Sequence, residues 1–308
     1  MIVVLVIKRF SELTFNEAIL LWNESWKHYF SDMTMDLNRF IQKIAGEGIS
    51  LEKSVVAVYD GKLAGFVFNS FRTINGKRYV WNGGTAIAPD YRGMGVGKKL
   101  ISACLNIYAE EKVEIARLEA VKENTAAINL YKSMGYETFE ELTYLQHEGI
   151  ITTWERASLE IQIKEVSSFD IQGLSFYVPS TAWQTQFQSL RDCTCVVGMK
   201  DGTPLGYAVY KKVYNEAGKL STILLYQCVT NEQKKLEEET VRELVKTVFA
   251  PAEESVKRIT INIPKKEDYL NQLLRETGFT TYVEQVHMER LIEQTNESRS
   301  VKTFSEID

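Results

Sequence analysis

Two hairpin sequences in this chain echo one another, and the echo limits the fold more than any other feature. The first is 55-VVAVYDGKLAGFVFNS-70 and the second is 196-VVGMKDGTPLGYAVYK-211. Each reads as a strand, an Asp-Gly turn and a returning strand, the signature of a tight hairpin. Asp60, Gly61 and Gly65 keep the spacing of Asp201, Gly202 and Gly206. A second echo lies downstream. The segments 130-LYKSMGYE-137 and 273-LLRETGFT-280 each end a helix at a glycine, Gly135 or Gly278, and pass into a strand. The offset between halves is nearly constant, so the chain reads as a duplicated unit. At 308 residues it has room for two domains. The repeats give 1–150 as a first domain, 151–294 as a second and 295–308 as a polar, disordered tail, with the join around Glu148–Ser158.

Within the first half the pattern predicts a strand over Ile2–Lys8, helices over Thr14–His28 and Asp36–Ala45, and strands near Ser54–Asp60, Lys62–Arg72 and Lys77–Ile87. A helix to about Lys112, a strand over Ile115–Val121, a helix over Thr125–Met134 and a last strand over 136–146 follow. The second half is expected to keep this order. The fold class is therefore α/β, each half a mixed, mostly antiparallel sheet flanked by helices, with a late β-α-β crossover.

Composition narrows the function. The chain is 44% hydrophobic and 25% charged, enough for a real core, and its net charge is −5. No Lys/Arg cluster marks a nucleic acid or an anionic membrane as partner, and mild acidity suits a cationic small substrate. The opening MIVVLVIKRF is too short and lacks the basic leader of a signal peptide, and no stretch nears the roughly 18 apolar residues of a membrane span. The expectation is a cytoplasmic protein. Cys193 and Cys195 form a C-x-C on alternate positions of a strand, and Cys104, Cys228 and the three histidines, His28, His147 and His287, are far apart. Reduced thiols and no metal site are expected.

The chemistry concentrates in 81-WNGGTAIAPDYRGMGVGKKLISACLNIYAEE-111. A strand runs into Gly93, Gly95 and Gly97, and Leu100, Ile101, Cys104, Leu105 and Tyr108 then form a helical apolar stripe. Glycine lowers helix stability by roughly 1 kcal/mol against alanine, so three at a helix start need a reason. Unpaired amides and the helix dipole attract anions there, and a residue without Cβ lets the backbone approach a phosphate. A P-loop fails, because Lys99 replaces its Ser/Thr and Arg92 its first glycine. A dinucleotide fingerprint fails too, with Lys98 or Leu100 at its third glycine.

What remains is R-x-x-G-x-G, from Arg92 through Gly95 and Gly97. Together with 84-GTAIAPDYRGMGVGKKLI-101 and 118-LEAVKENTAAINLYKSMGYE-137, it resembles the GNAT N-acetyltransferase superfamily. The close likeness covers roughly Val55–Glu137; the remainder is alike in topology only. The resemblance implies an N-acetyltransferase that moves an acetyl group from acetyl-CoA, without a metal, to a primary amine of a small molecule or protein by direct attack in a ternary complex. The cofactor side would be Ile87, Ala88, Arg92, Gly93, Met94, Gly95, Val96, Gly97 and Lys98, with Asn124 and Tyr131. A backbone N–H near Thr85–Ala88 would polarise the thioester carbonyl.

By the same resemblance, Tyr131 is the acid that protonates the leaving thiolate, its phenol having an ordinary pKa of about 10; the other reading is an amphipathic tyrosine packing at a helix end. Glu119, twelve residues before Tyr131, is the candidate base, against a structural glutamate or a water chain. Asn124 doubles as an N-cap for Thr125–Met134. Arg92 meets CoA phosphate or is a solvated surface arginine. Trp22, Trp26, Tyr29 and Phe30 are either core or an acceptor pocket, with Asp32 or Asp36 drawing a cation. A CoA-binding sensor without turnover is the alternative function, and monomer and homodimer both stand.

The second half lacks this equipment. After 222-TILLYQCVT-230 comes 231-NEQKKLEEETV-241, acidic and without glycine. Leu274 matches Tyr131, and Asn262 matches Glu119, so this half is expected to keep the fold without binding acyl-CoA, in a structural or acceptor-shaping role.

Overall fold

The computed structural model describes residues 4–29, 32–152, 160–179, 181–231, 236–266 and 268–293. The first repeat runs β1 (Leu5–Arg9), α1 (Phe15–Ser25), α2 (Leu37–Glu47), β2 (Val55–Tyr59), β3 (Lys62–Ile74), β4 (Lys77–Ile87), α3 (Val96–Glu110), β5 (Ile115–Val121), α4 (Thr125–Ser133) and β6 (Glu137–Gly149). The second runs β7 (Gln162–Val166), α5 (Ser168–Gln172), β8 (Thr194–Lys200), β9 (Thr203–Tyr214), β10 (Leu220–Thr230), α6 (Glu237–Val248), β11 (Val256–Thr260), β12 (Ile263–Pro264), α7 (Tyr269–Glu276) and β13 (Thr280–Leu291). This is the mixed α/β class that the sequence predicts. Most of the expected join and the whole 295–308 tail lie outside the described residues.

The second repeat departs from the first at its start. In place of two eleven-residue helices it has the five-residue α5 and two single 3-10 turns, Trp183–Thr185 and Phe187–Ser189.

The chain divides into two compact units, and the division does not follow the repeats. The first comprises the described parts of Met1–Met35, Ser50–Arg117 and Arg290–Asp308; the second comprises those of Asp36–Ile49 and Leu118–Glu289.

In the first unit, β1, β2, β3 and β4 pair antiparallel in sequence order. The Asp60-Gly61 turn closes the β2–β3 hairpin, with both residues at positive φ. The parallel ladder with β5 covers only Tyr79–Trp81 against Ile115–Arg117, while β4 runs on to Ile87 along β3. Gly83 makes a bulge where Phe68 pairs Gly84 and Asn69 pairs Asn82. The Asn82 side chain secures it, accepting from Gly84 N at 3.1 Å and meeting Thr85 Oγ1 at 2.8 Å. α3 buries Leu100, Ile101, Cys104 and Tyr108, and the Tyr108 hydroxyl donates to buried Asn69 at 2.6 Å. α1 starts on a Thr14–Glu17 capping box and buries Trp22, which stacks on Phe66 and Phe68.

In the second unit, β7, β8, β9 and β10 pair antiparallel in order, and β10 pairs β11 in parallel. The last strands of the two repeats are exchanged. β6, from the first repeat, pairs β11 of the second, and β13, from the second, pairs β6 and lies next to β5 of the first, with Lys122 N donating to Glu284 O at 3.0 Å. α6 and α7 cover one face over Leu145, Ile223, Leu225, Leu244, Phe249 and Leu274. The irregular stretch before β8 packs on the other face, around Val197, Tyr207 and Val209.

Candidate active site

The glycine loop is built in the first unit. Ile87 ends β4, Ala88 N donates to Ala64 O at 2.9 Å, and Pro89–Tyr91 makes one 3-10 turn. Gly93 and Gly95 then take φ of 76° and 77°. A Cβ on either would meet nothing within 4 Å, so the left-handed backbone requires glycine there and crowding does not. Gly95 is the N-cap of α3 and supplies no side-chain acceptor. The first amides of the helix, those of Val96, Gly97 and Lys98, find no acceptor among the described residues. Gly93, Met94, Gly95 and Lys98 are exposed, and Val96 is buried beneath them. Open space over bare amides at a helix N-terminus fits a phosphate group.

Arg92 is exposed and lies along the backbone. Its Nε donates to Ile87 O at 3.0 Å, and its Nη2 donates to Ser25 O and Lys27 O at 3.1 Å. It therefore ties the loop to the ends of β4 and α1. Beyond α1 a cavity of about 350 Å³ is lined by Trp26, Tyr29 and Asp32 among others. Of the four aromatics expected there, Trp22 is core at 1% exposure, and Phe30 lies outside the described residues. Asp36 is the N-cap of α2, accepting from Arg39 N.

Glu119, Asn124 and Tyr131 belong to the second unit. Asn124 caps α4, its side chain accepting from Ala127 N at 3.2 Å. Tyr131 is buried near the end of α4, edge-on to Tyr136 at 5.9 Å. The Glu119 side chain, borne on β5, is buried, with Oε1 3.5 Å from Nε2 of His287. The other ring nitrogen, Nδ1, lies 3.3 Å from Glu140 Oε2, and the Phe139 ring sits 4.4 Å from the imidazole. Burial, and then the charges of Glu119 and Glu47, push the Tyr144 phenol well above the usual tyrosine range. Sequence reasoning missed His287. The repeat offset that aligns Gly135 with Gly278 also aligns Tyr144 with His287, but only the strand exchange brings that position to Glu119.

The corresponding positions of the second repeat are filled by its own chain. Leu274 is fully buried in the apolar core. Asn262 donates to Gln184 Oε1 at 3.2 Å, and Gln227, on the extension of β10 past its ladder with β11, donates to Thr185 O at 2.6 Å. The first turn of α6 carries Glu237, Glu238 and Glu239, which disfavour an anion. Among the described residues no helix is long and apolar enough to cross a membrane, and no His/Cys/Asp/Glu group has the makings of a metal site.

Comparison with known proteins follows this division. The acetyltransferase (GNAT) family matches residues 14–136. The L-amino acid N-acyltransferase MnaT of Escherichia coli is 25% identical over 125 residues, 40% of this chain and 69% of that protein. N-alpha-acetyltransferase 30 of Saccharomyces cerevisiae is 33% identical over 79 residues, 25% of this chain and less than half, 44%, of that protein. A solved tandem GNAT protein from the clavulanic acid biosynthesis pathway matches 94% of this chain and 99% of its own, with a TM-score of 0.63 at 12% identity, a likeness of fold. Residues 14–136 are thus similar to the acetyltransferase (GNAT) family, and the chain as a whole shares its fold with the solved tandem GNAT protein.

Proposed function

We propose that this protein is an N-acetyltransferase that moves an acetyl group from acetyl-CoA to a primary amine of a small molecule or protein, without a metal, in a ternary complex. The observation that carries the reading is the loop Gly93–Gly97, whose left-handed glycines leave the first amides of α3 bare and accessible. These amides cradle the pyrophosphate, and Arg92 holds the loop in shape. The stretch Thr85–Ala88 supplies the backbone donor for the thioester carbonyl. Glu119 takes the proton from the attacking amine, and Tyr131 returns one to the departing thiolate. Asn124 serves the cofactor side while capping α4. The cavity with Trp26, Tyr29 and Asp32 suits an acceptor bearing a cationic amine. The domains are those of the repeats: 1–150 is catalytic, and 151–294 keeps the fold without a cofactor site.

The test mixes purified protein with acetyl-CoA and a set of amines (spermidine, glucosamine and a tetrapeptide) and follows free thiol. Amine-dependent thiol release is expected, lowered by about 100-fold or more in kcat for Tyr131→Phe with acetyl-CoA binding unchanged. Acetyl-CoA binding with no thiol release from any amine would favour a non-catalytic sensor.

A further inference from the structure

The strand exchange carries a residue of the second repeat to the base of the first. His287 is 2% exposed and Glu119 is 6% exposed, so a charge on either needs a partner inside the protein. Each is within reach of the other, Nε2 to Oε1 at 3.5 Å, and the opposite nitrogen reaches Glu140, which is 28% exposed. The ring thus lies between two carboxylates, hydrogen-bonded to Glu140 at Nδ1, and the Phe139 ring packs against it in a tilted contact at 4.4 Å.

The same exchange brings the matching position of β6 to the matching position of the second repeat. Tyr144 aligns with His287, and Asn262 aligns with Glu119. Tyr144 and Asn262 both hydrogen-bond Gln184 Oε1, at 3.4 and 3.2 Å. The architecture therefore asks for a polar pair at this junction in both repeats. In the half without a glycine loop the pair is Asn and Tyr, neutral and bonded to the protein's own glutamine. In the half with the loop it is Glu and His, the pair able to exchange a proton. A merely structural junction is satisfied by the first kind, as the second repeat demonstrates.

We propose that His287, delivered by the exchanged last strand of the second repeat, is a positioning residue for Glu119, holding the carboxylate that accepts the amine proton. This rests on Glu119 being the base. The second repeat is then part of the catalytic apparatus although it has no cofactor loop of its own. The titratable groups facing the ring are Glu119 from β5 and Glu140 from β6, with Tyr144 of β6 in the field of Glu119.

Two measurements on the full chain test it. The chain has three histidines, so each imidazole NMR signal is assigned by a single substitution. Glu119→Gln is expected to shift the His287 imidazole signals at fixed pH, because the neighbouring carboxylate is removed from beside the ring, and to leave those of His28 in place. An unmoved His287 would overturn the pairing. In the thiol-release assay with the same amines, His287→Leu is expected to lower kcat by about 10- to 100-fold with the KM for the amine little changed, since the buried carboxylate loses the imidazole beside it. Calorimetry should show acetyl-CoA binding unchanged, and His287→Gln, which keeps a donor, should recover part of the rate. An unchanged kcat in both variants would overturn the positioning role alone. His287 signals that respond to Glu119→Gln in a protein whose wild type transfers no acetyl group would overturn Glu119 as base, and the role of His287 with it.

Discussion

The glycines around the loop answer to different forces. At Gly83 a Cβ would lie 2.6 Å from the Trp81 ring, so crowding sets the residue; at Gly93 and Gly95 there is open space and only positive φ demands glycine. Gly83→Ala must shift a buried tryptophan and is expected to destabilise the protein by about 1–3 kcal/mol in a urea titration. Gly95→Ala meets no atom and is expected to cost about 1–2 kcal/mol, the strain of a left-handed backbone alone. Equal, near-zero effects for the two would contradict this distinction. Asn124 has a capping bond that any short acceptor can supply. Asn124→Ala is expected to lose about 1 kcal/mol, and Asn124→Asp to restore it. If stability recovers in Asn124→Asp while CoA affinity does not, the asparagine serves the cofactor as well as the helix.

Among the elements, the exchanged strands explain most of what the sequence hides. β6 satisfies its backbone on β11 and β13 of the second repeat and β13 lies between β5 and β6 of the first, and beside them Lys122 and Lys265 meet Glu141 and Glu284 across the sheet. Hydrogen bonding to Lys265 and to Lys122 holds the Glu284 and Glu141 carboxyls below the usual carboxylate range. The unfolded chain therefore binds protons first. Their contribution is present above the ordinary carboxylate pKa and is lost as pH falls through the lowered values; half-exposed partners keep it small. Thermal melts from pH 6 down to pH 3 should show a smaller acid loss in Glu284→Gln than in wild type, and an equal loss would count against the network. Strands β4 and β5 match their sequence limits; Gly76 marks the start of β4, and β5 alternates buried and part-buried residues from Ala116 on. The loop and the Asn124 cap were likewise legible from adjacent residues. His287 was not, since its neighbours come from sequence-distant strands, nor was the loss of two helices before β8, where 173–193 keeps apolar residues without helical spacing. Trp22 and Trp26 share one apolar helix face, and only packing separates the core residue from the cavity wall.

The whole molecule is asymmetric: two repeats of one topology, one carrying open amides and an ionisable pair, the other filled by Gln184, Thr185 and Leu274. That asymmetry fixes a stoichiometry. The most direct test is calorimetric titration of CoA and acetyl-CoA into wild type, Gly95→Trp and Tyr131→Phe. One equivalent per chain is expected for wild type and Tyr131→Phe, and none for Gly95→Trp, whose indole fills the space over the loop. Two equivalents for wild type, or binding that survives in Gly95→Trp, would contradict it.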